Sequence, residues 1–486
     1  MAVSSARWLS AVALSGAAFY FSTGLGEVWP LAWLAPLPIL LLAFGASART
    51  AFLSAMAAYF LGGLNLFTYL REVMPLPMVL TVLLGPAAVF ALAVLAARYA
   101  VRRLPPRAAA FVFPAAWTSW EFLESFVSPH GTAGSLAYSQ TDSLPLLQLA
   151  SVTGVWGITF VVTLVPSAVA VAWARRSAAA LAPAFAVLLV ALGYGAIRLR
   201  EPAAPADQRV GLAATDRGIG EAFATRDPAE AQRVARAYAD RVARLAAQGA
   251  QVIVLPEKFV GVTPADSEEV TQVFRDAARA AQVTLIAGFN RVAIEPRRNV
   301  AVVFAPDGRV LLEYEKRHML PGPETGYQVG TVPGLFTAAG IRWGVAICKD
   351  MDFPAWLREY GRRGVRILAV PAWDFVRDAR LHSRMAVVRA VENGFTLARV
   401  AQQGNLTFSD PCGRILAETS SGGGPEALLF RIVSPGPGAT PYTRFGDWFG
   451  WASALALAGA LLSKQKGRLP DRGSKSRPKP STTVRA

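Results

Sequence analysis

Cysteine and histidine are almost missing from this chain: two of the first and three of the second in 486 residues. Two cysteines, Cys348 and Cys412, cannot build a disulfide framework, and three histidines without paired spacing do not make a zinc site. No glycine-rich phosphate loop and no internal repeat is found, which sets aside the nucleotide-binding fingerprints and the repeated halves of a transporter. Charge is sparse as well, at 17% of residues against 53% hydrophobic ones. That balance is too apolar for an ordinary soluble protein.

What is present in excess is the long apolar run. Seven lie in the first 200 residues, at about 8–22, 28–45, 51–70, 75–97, 108–126, 153–174 and 181–197. Each is near the roughly 20 residues that cross a bilayer. An eighth, "WFGWASALALAGALL", begins at Trp448. The first has the length of a signal peptide, but "FYFSTGLGEVWP" offers no small-x-small cleavage site, so it is read as a helix. The expected layout is a seven-span bundle over 1–200, a C-terminal transmembrane helix over 446–463 and a basic cytoplasmic tail over 464–486. Arg7, Arg49, the cluster Arg98, Arg102, Arg103 and Arg107, and the pair Arg175 and Arg176 fall on alternate loops. Basic loops stay in the cytoplasm, so a cytoplasmic N-terminus places the segment 200–443 outside it and returns the tail inside. The formal net charge of +16 is carried largely by those loops and the tail, and it calls for a membrane rather than a nucleic-acid partner.

From Gln208 the pattern changes to short apolar strands alternating with helices. "RVGLAAT", "QVIVLPEKF", "VTLIAGF", "RWGVAIC", "VRILAVPAW", "FTLARVAQ" and "GRILAE" read as strands. "DPAEAQRVARAYADRVARLAAQG" is an amphipathic helix with an Asp cap and a Gly stop, another helix falls near 379–393, and "NVAVVFAPDGRVLLEYEK" is a hairpin turning on Pro306-Asp307-Gly308. "GPGATPYTRFGDW" reads as a linker back to the membrane. The alternation predicts a layered α/β domain over 208–435.

Three polar residues stand just after strands of that domain: Glu257, Lys316 and Cys348. Strand ends are where an α/β domain presents side chains to a crevice. A carboxylate that takes a thiol proton, a thiolate that attacks an acyl carbon and an ammonium that meets the oxyanion together allow acyl transfer through a thioester. The plain alternative is surface charge, because any α/β domain has charged residues after its strands. Cys412, in the probable turn "SDPCGRIL", reads as incidental. Lys349, beside the cysteine, either lowers the thiol's proton affinity or, as the favoured reading, points to solvent or pairs with Asp352. His318 is a second candidate base, although Glu257 already fills that role, and His382 reads as structural. Trp117 and Glu121 share one helical face, where a carboxylate is either functional or simply at the interface.

The motifs carry a resemblance. Glu257 after "LP", Lys316 in "YEKRHMLPGPE" and Cys348 in "ICKDMDFP" resemble the Glu-Lys-Cys order of the nitrilase superfamily of carbon–nitrogen hydrolases, over about 208–435. The seven-span bundle, "WTSWEFLE", "RMAVVRAVENGFTLARV" and the single C-terminal span look like the membrane-embedded branch of that superfamily, the apolipoprotein N-acyltransferases. The resemblance implies an α-β-β-α sandwich outside the cytoplasm of a bacterial cell, joined to about eight transmembrane helices in the inner membrane. It implies Cys348 as nucleophile, Glu257 as general base and Lys316 as oxyanion stabiliser, with Glu324 and Asp350 in support. It also implies a phospholipid acyl donor, an acceptor amine on the diacylglyceryl-cysteine of a prolipoprotein, and no cofactor or metal. The chain departs from the branch at Lys258 and Phe259, where small residues are usual, at Gly322 and Pro323 before Glu324, and at Lys349, where tyrosine is usual. Those positions leave open an amidase or an acyltransferase with a different acceptor. For the topology, a reporter fused near Ala338 is expected to work only outside the cytoplasm, and one at the C-terminus only inside; the reverse pattern would overturn the orientation.

Overall fold

A computed structural model describes residues 5–200, 208–215, 227–432 and 436–462. The expected basic tail over 464–486 lies outside the described residues. Each of the eight predicted apolar runs carries helix: Ser5–Ser22, Leu31–Leu34 with Leu37–Gly45, Ala48–Gly63, Leu76–Arg103, Val112–Glu124, Val155–Arg175, Leu181–Arg198 and Trp448–Leu462. Among the described residues, four helical stretches are long and apolar enough to cross a membrane, Ala48–Val73, Leu76–Arg103, Val155–Arg175 and Ala178–Arg198, so the expected eight spans are not all of spanning length. The run expected at 28–45 is broken in two because Pro30 and Pro36, which lack a backbone donor, each stand at the start of a new helix. The helices pack through small residues such as Ala51, Ala55, Ala58, Ala91, Ala97 and Ala168, all buried, which lets their backbones come close. Glu121 serves as a junction inside this part: its carboxylate accepts from Trp117 Nε1 at 2.9 Å, Ser135 Oγ at 2.7 Å, Thr159 Oγ1 at 2.8 Å and the Leu136 amide at 2.8 Å. Four donors on one buried carboxylate tie helix Val112–Glu124 to the following loop and to helix Val155–Arg175, which favours a structural role for the residue.

The second part is a sandwich of two sheets. The strands are β1 (Gln208–Ala214), β2 (Val252–Val254), β3 (Val260–Val262), β4 (Thr284–Arg291), β5 (Arg298–Phe304), β6 (Val310–Glu315), β7 (Gly334–Ala338), β8 (Ile341–Val345), β9 (Ile367–Trp373), β10 (Thr396–Gln402), β11 (Asn405–Ser409), β12 (Ile415–Ser420) and β13 (Glu426–Ile432). One sheet runs β13-β1-β2-β4-β5-β6, with β3 also on β4, and the other runs β12-β11-β10-β9-β8-β7. Side chains alternate across each strand, so one set from each sheet meets in the middle. Val210, Leu212, Val254, Ile286 and Val303 face Trp343, Val345, Ile367, Val400 and Phe408 in that inner layer. The outer face of the first sheet packs on helices Pro228–Ala247 and Ser267–Ala281, through Ala213, Ile253 and Leu285 against Tyr238, Val242 and Phe274. The second sheet is covered by Pro354–Arg362 and Ala379–Asn393, through Leu368, Val370 and Leu397 against Leu357, Val387 and Ala390. The layers are therefore α-β-β-α.

The predicted strands and both predicted helices of this part are present, with Asp227 capping the first helix by accepting from the Ala229 amide at 3.0 Å. Two details differ. Strand β8 stops at Val345, and Cys348 opens a short 3-10 turn, Cys348–Asp352, instead of ending the strand. The expected linker before the last helix is a docked junction: Pro441–Phe445 is helical, Tyr442 is fully buried, and Asp447 accepts from Trp156 Nε1 at 2.9 Å, Arg358 Nη1 at 2.6 Å and Tyr442 Oη at 2.7 Å. A buried tyrosine and a carboxylate with three donors cannot be left as free chain, because undoing them strands polar groups away from water.

Candidate active site

Glu257, Lys316, Cys348 and Glu324 come together at one end of the sandwich. Glu257 lies three residues beyond β2, Lys316 one residue beyond β6, and Cys348 three beyond β8. The Glu257 segment crosses close over β4 at Gly288, where a Cβ would stand 2.1 Å from the Pro256 carbonyl and 2.9 Å from Glu257 Cα. Only glycine allows that approach.

The charged atoms form one buried cluster. Lys316 Nζ donates to Glu257 Oε1 and to Glu324 Oε2, both at 2.8 Å. Asn299, on β5, donates its amide to Glu257 Oε1 at 2.6 Å and to Glu324 Oε1 at 2.7 Å. Lys258 Nζ sits 2.6 Å from Glu324 Oε1 and 3.9 Å from Glu257 Oε1. The Leu320 amide adds a fourth donor to Glu324 at 2.7 Å. Glu257, Lys258, Lys316 and Glu324 are each at most 3% exposed. Two carboxylates and two ammoniums therefore cancel in a place where an unpaired charge would cost several kcal/mol. The loop residue Glu324 takes donors on both oxygens, whereas the bonds to Glu257 from Lys316 and Asn299 both fall on Oε1.

Cys348 is half-buried, with Sγ 3.6 Å from the Trp373 carbonyl. Its φ of +41° lies in the left-handed region, as does the +47° of Lys258. Strain of this kind in non-glycine residues persists only where the surroundings over-determine it, and it clusters at reactive sites. Asp350 supplies part of that determination. Its Oδ2 accepts from Tyr314 Oη at 2.7 Å and from the Ile347 amide at 2.9 Å, while Oδ1 accepts from the Arg317 amide at 3.2 Å and the His318 amide at 2.9 Å. The Asp350 side chain thus ties the cysteine turn to the chain that carries Lys316.

Burial pushes the Cys348 thiol well above its ordinary range, and the Glu257 carboxylate adds to this, with Lys316 and Arg399 opposing. Burial alone would pull Lys316 down, but Glu257 and Glu324 hold its ammonium well above the usual lysine range. Burial would raise Glu324, and Lys316 and Lys258 instead hold it well below the carboxylate range. A further buried pair flanks the site: Arg399 donates to Asp374 Oδ1 at 2.6 Å and to Oδ2 at 3.0 Å. The site accordingly holds a protonated thiol beside a carboxylate and a fixed ammonium, an arrangement fit for general-base attack by sulfur.

Of the remaining candidates, His318 stacks on Phe353 with centroids 3.7 Å apart and gives its Nδ1 to Asp350 at 3.0 Å, so its ring is a brace for the turn. Lys349 pairs with Asp352 Oδ2 at 2.8 Å, as favoured, but it is buried and does not reach solvent. His382 pairs with Asp378 at 3.0 Å, and Cys412 is buried with its carbonyl bound by Gln148 Nε2 at 2.8 Å. Sequence reasoning missed Asn299 and noticed Lys258 only as a bulky departure. A polar residue in "RNVAVVF" is an ordinary sight in a strand, and nothing in the spacing signals a shared amide.

Both parts of the chain match known families. The apolipoprotein N-acyltransferase N-terminal domain matches residues 15–168, and the carbon–nitrogen hydrolase family matches residues 220–425. The apolipoprotein N-acyltransferase of Geobacter metallireducens is 28% identical, with 93% of this chain and 95% of that protein aligned. That of Azotobacter vinelandii is 28% identical over 80% of each. Human omega-amidase NIT2 is 27% identical, covering 39% of this chain and 78% of its own. The sandwich with its buried Glu-Lys-Cys site is thus a carbon–nitrogen hydrolase domain. Joined to the N-terminal helical part, it makes the chain similar over nearly its whole length to the apolipoprotein N-acyltransferases.

The raised thiol makes a prediction. In the Cys412→Ala background, the iodoacetamide alkylation rate of Cys348 should be low at pH 7 and still climbing at about pH 9, because thiolate forms only above the ordinary cysteine range. A plateau reached below pH 8 would contradict this electrostatic picture.

Proposed function

We propose that this chain transfers a fatty acyl group from a membrane phospholipid to the α-amine of a lipoprotein's diacylglyceryl-cysteine, through a thioester on Cys348. The observation that carries the reading is the buried Glu257–Lys316–Cys348 cluster on a domain docked against apolar helices. Bilayer and thiol then meet at one boundary. The names of the relatives over most of the chain support acyl transfer to a nitrogen of an apolipoprotein.

In the first half-reaction Glu257 Oε2 takes the thiol proton and sulfur attacks the ester carbonyl. Lys316 has three N–H donors, two of them given to Glu257 and Glu324, so the third is available to the oxyanion. Collapse breaks the ester bond, and the leaving lysophospholipid oxygen takes the proton held on Glu257. In the second half, the amine attacks the thioester carbonyl and loses a proton to Glu257. The carbon–sulfur bond breaks, and that proton returns to the departing thiolate. Glu257, Lys316 and Cys348 have the catalytic roles, while Glu324 and Asp350 position them. The site and both ends of the bundle suit a bacterial inner membrane, with 208–435 outside the cytoplasm. An amidase, in which water takes the place of the amine, would use the same first half.

Intact-mass measurement after incubation with phospholipid, followed by a diacylated lipopeptide, tests the reading. An acyl adduct on Cys348 should form and then move to the peptide amine. Cys348→Ala should give none, and Lys316→Ala should slow adduct formation by about 100- to 1,000-fold. Labelling retained in Cys348→Ala would overturn the mechanism, and an adduct discharged only to water would favour the amidase.

A further inference from the structure

The turn that carries Cys348 is anchored from two sides, and one of them belongs to the membrane part. Asp350 ties it inward, to the Lys316 segment. The outer anchor is the loop after helix Val112–Glu124. The carbonyl of Asp352, last residue of the turn, accepts from the Thr132 amide at 2.9 Å and from Thr132 Oγ1 at 2.8 Å. Lys349 Nζ, one residue beyond the nucleophile, is 3.1 Å from His130 Nδ1 as well as 2.8 Å from Asp352. Burial, together with the Lys349 charge, brings His130 down to about 4, so at neutral pH its ring is uncharged and can accept from the lysine. Thr132 Oγ1 in turn meets Tyr138 Oη at 2.6 Å, and Arg389 of the catalytic part donates to that same hydroxyl at 2.6 Å. Gly131 makes the closest approach. Its φ is +51°, and a Cβ there would stand 2.4 Å from the Asp352 carbonyl oxygen.

From this geometry we infer that His130, Gly131 and Thr132 are positioning residues for the nucleophile: the membrane-part loop fixes the Cys348–Asp352 turn in its strained, reactive form. The inference rests on the reading of Cys348 as the nucleophile. Its physical basis is over-determination. Cys348 sits at φ +41°, which a chain with one anchor would relax by rotating the turn. With Asp350 holding one side and Asp352 the other, rotation must break bonds at one end. A shift of about 1 Å at a reacting atom costs on the order of 100-fold in rate, so a latch remote from the substrate can govern the chemistry. Ordinary domain packing would not need two donors on the last carbonyl of this turn, nor a left-handed glycine pressed against it.

The same loop provides its own control. Gly134 is exposed, and a Cβ there meets nothing within 4 Å. Full-length Gly131→Ala, Gly134→Ala, Thr132→Val and Thr132→Ser would be compared by single-turnover acylation of Cys348 and by its alkylation rate with iodoacetamide at pH 9, all in the Cys412→Ala background. Gly131→Ala should lose about 10- to 100-fold in acylation rate with the phospholipid concentration dependence unchanged. Thr132→Val should lose about 10-fold, with Thr132→Ser restoring the rate to within about 2-fold, and Gly134→Ala should match the parent. Alkylation should change in the same order. Should Gly131→Ala fail to insert, the Val and Ser pair at 132 carries the test. Equal rates for Gly131→Ala, Thr132→Val and Gly134→Ala would overturn the latch. If the parent itself forms no acyl adduct, the proposed function fails, and the alkylation order still decides whether the loop positions the thiol.

Discussion

The arrangement depends on one constraint: four charges buried within a few ångströms of each other must cancel. Lys316 and Lys258 bring two ammoniums to Glu257 and Glu324, and the Asn299 amide bridges the two carboxylates. Any one of the four charged groups removed would leave a charge without compensation inside the protein, at a cost far above that of an exposed pair. This is why the strands that end here must end in register, and why Glu324 turns inward and is buried although Gly322 and Pro323 before it are exposed. The cancellation also has a chemical consequence. Glu324 takes donors on both oxygens, the donors to Glu257 fall on Oε1, and Glu257 and Glu324 hold the Lys316 ammonium well above the usual lysine range.

Around that cluster the fold supplies two kinds of support. The inner layer of the sandwich is rigid and apolar, and it delivers strand ends to one edge with little freedom. The turn at Cys348 is the opposite, a short irregular segment whose strain is held by side chains: Asp350 accepting from five donors on one side, the Thr132 loop on the other. Burial and the Glu257 carboxylate hold a thiol placed this way above its ordinary range. The bundle and the sandwich are also joined at Asp447, where Trp156, Arg358 and Tyr442 converge. The catalytic domain is seated on its membrane part at more than one point.

Much of this could be read from the residues in order. Apolar runs bounded by turn residues marked the strands, because a strand buried on both faces has nothing else to be. The Asp227 cap and the hairpin at Pro306-Asp307-Gly308 were legible for equally local reasons, and Glu257, Lys316 and Cys348 drew notice by standing just past strands. What stayed hidden depends on distance in space. Lys258 and Lys349 look like solvent-facing lysines in sequence, and each is buried only because a carboxylate far along the chain or three residues on neutralises it. Asn299 carries no local signal, and the contact of Thr132 with Asp352 joins positions 220 residues apart. The apolar runs foretold helices, and Pro30 and Pro36, legible as interruptions of one run, divide it into two helices.

The most direct measurement of the central claim is a double-variant cycle on the rate of acyl-enzyme formation, using Lys316→Met, Glu324→Gln and the two together. If the buried cluster acts as one unit, each single variant loses about 100-fold or more and the pair is no slower than the worse single, because the second change removes a partner already made useless. Losses that multiply would mean that lysine and glutamate act independently, and the account of a single neutral cluster governing the thiol would be wrong.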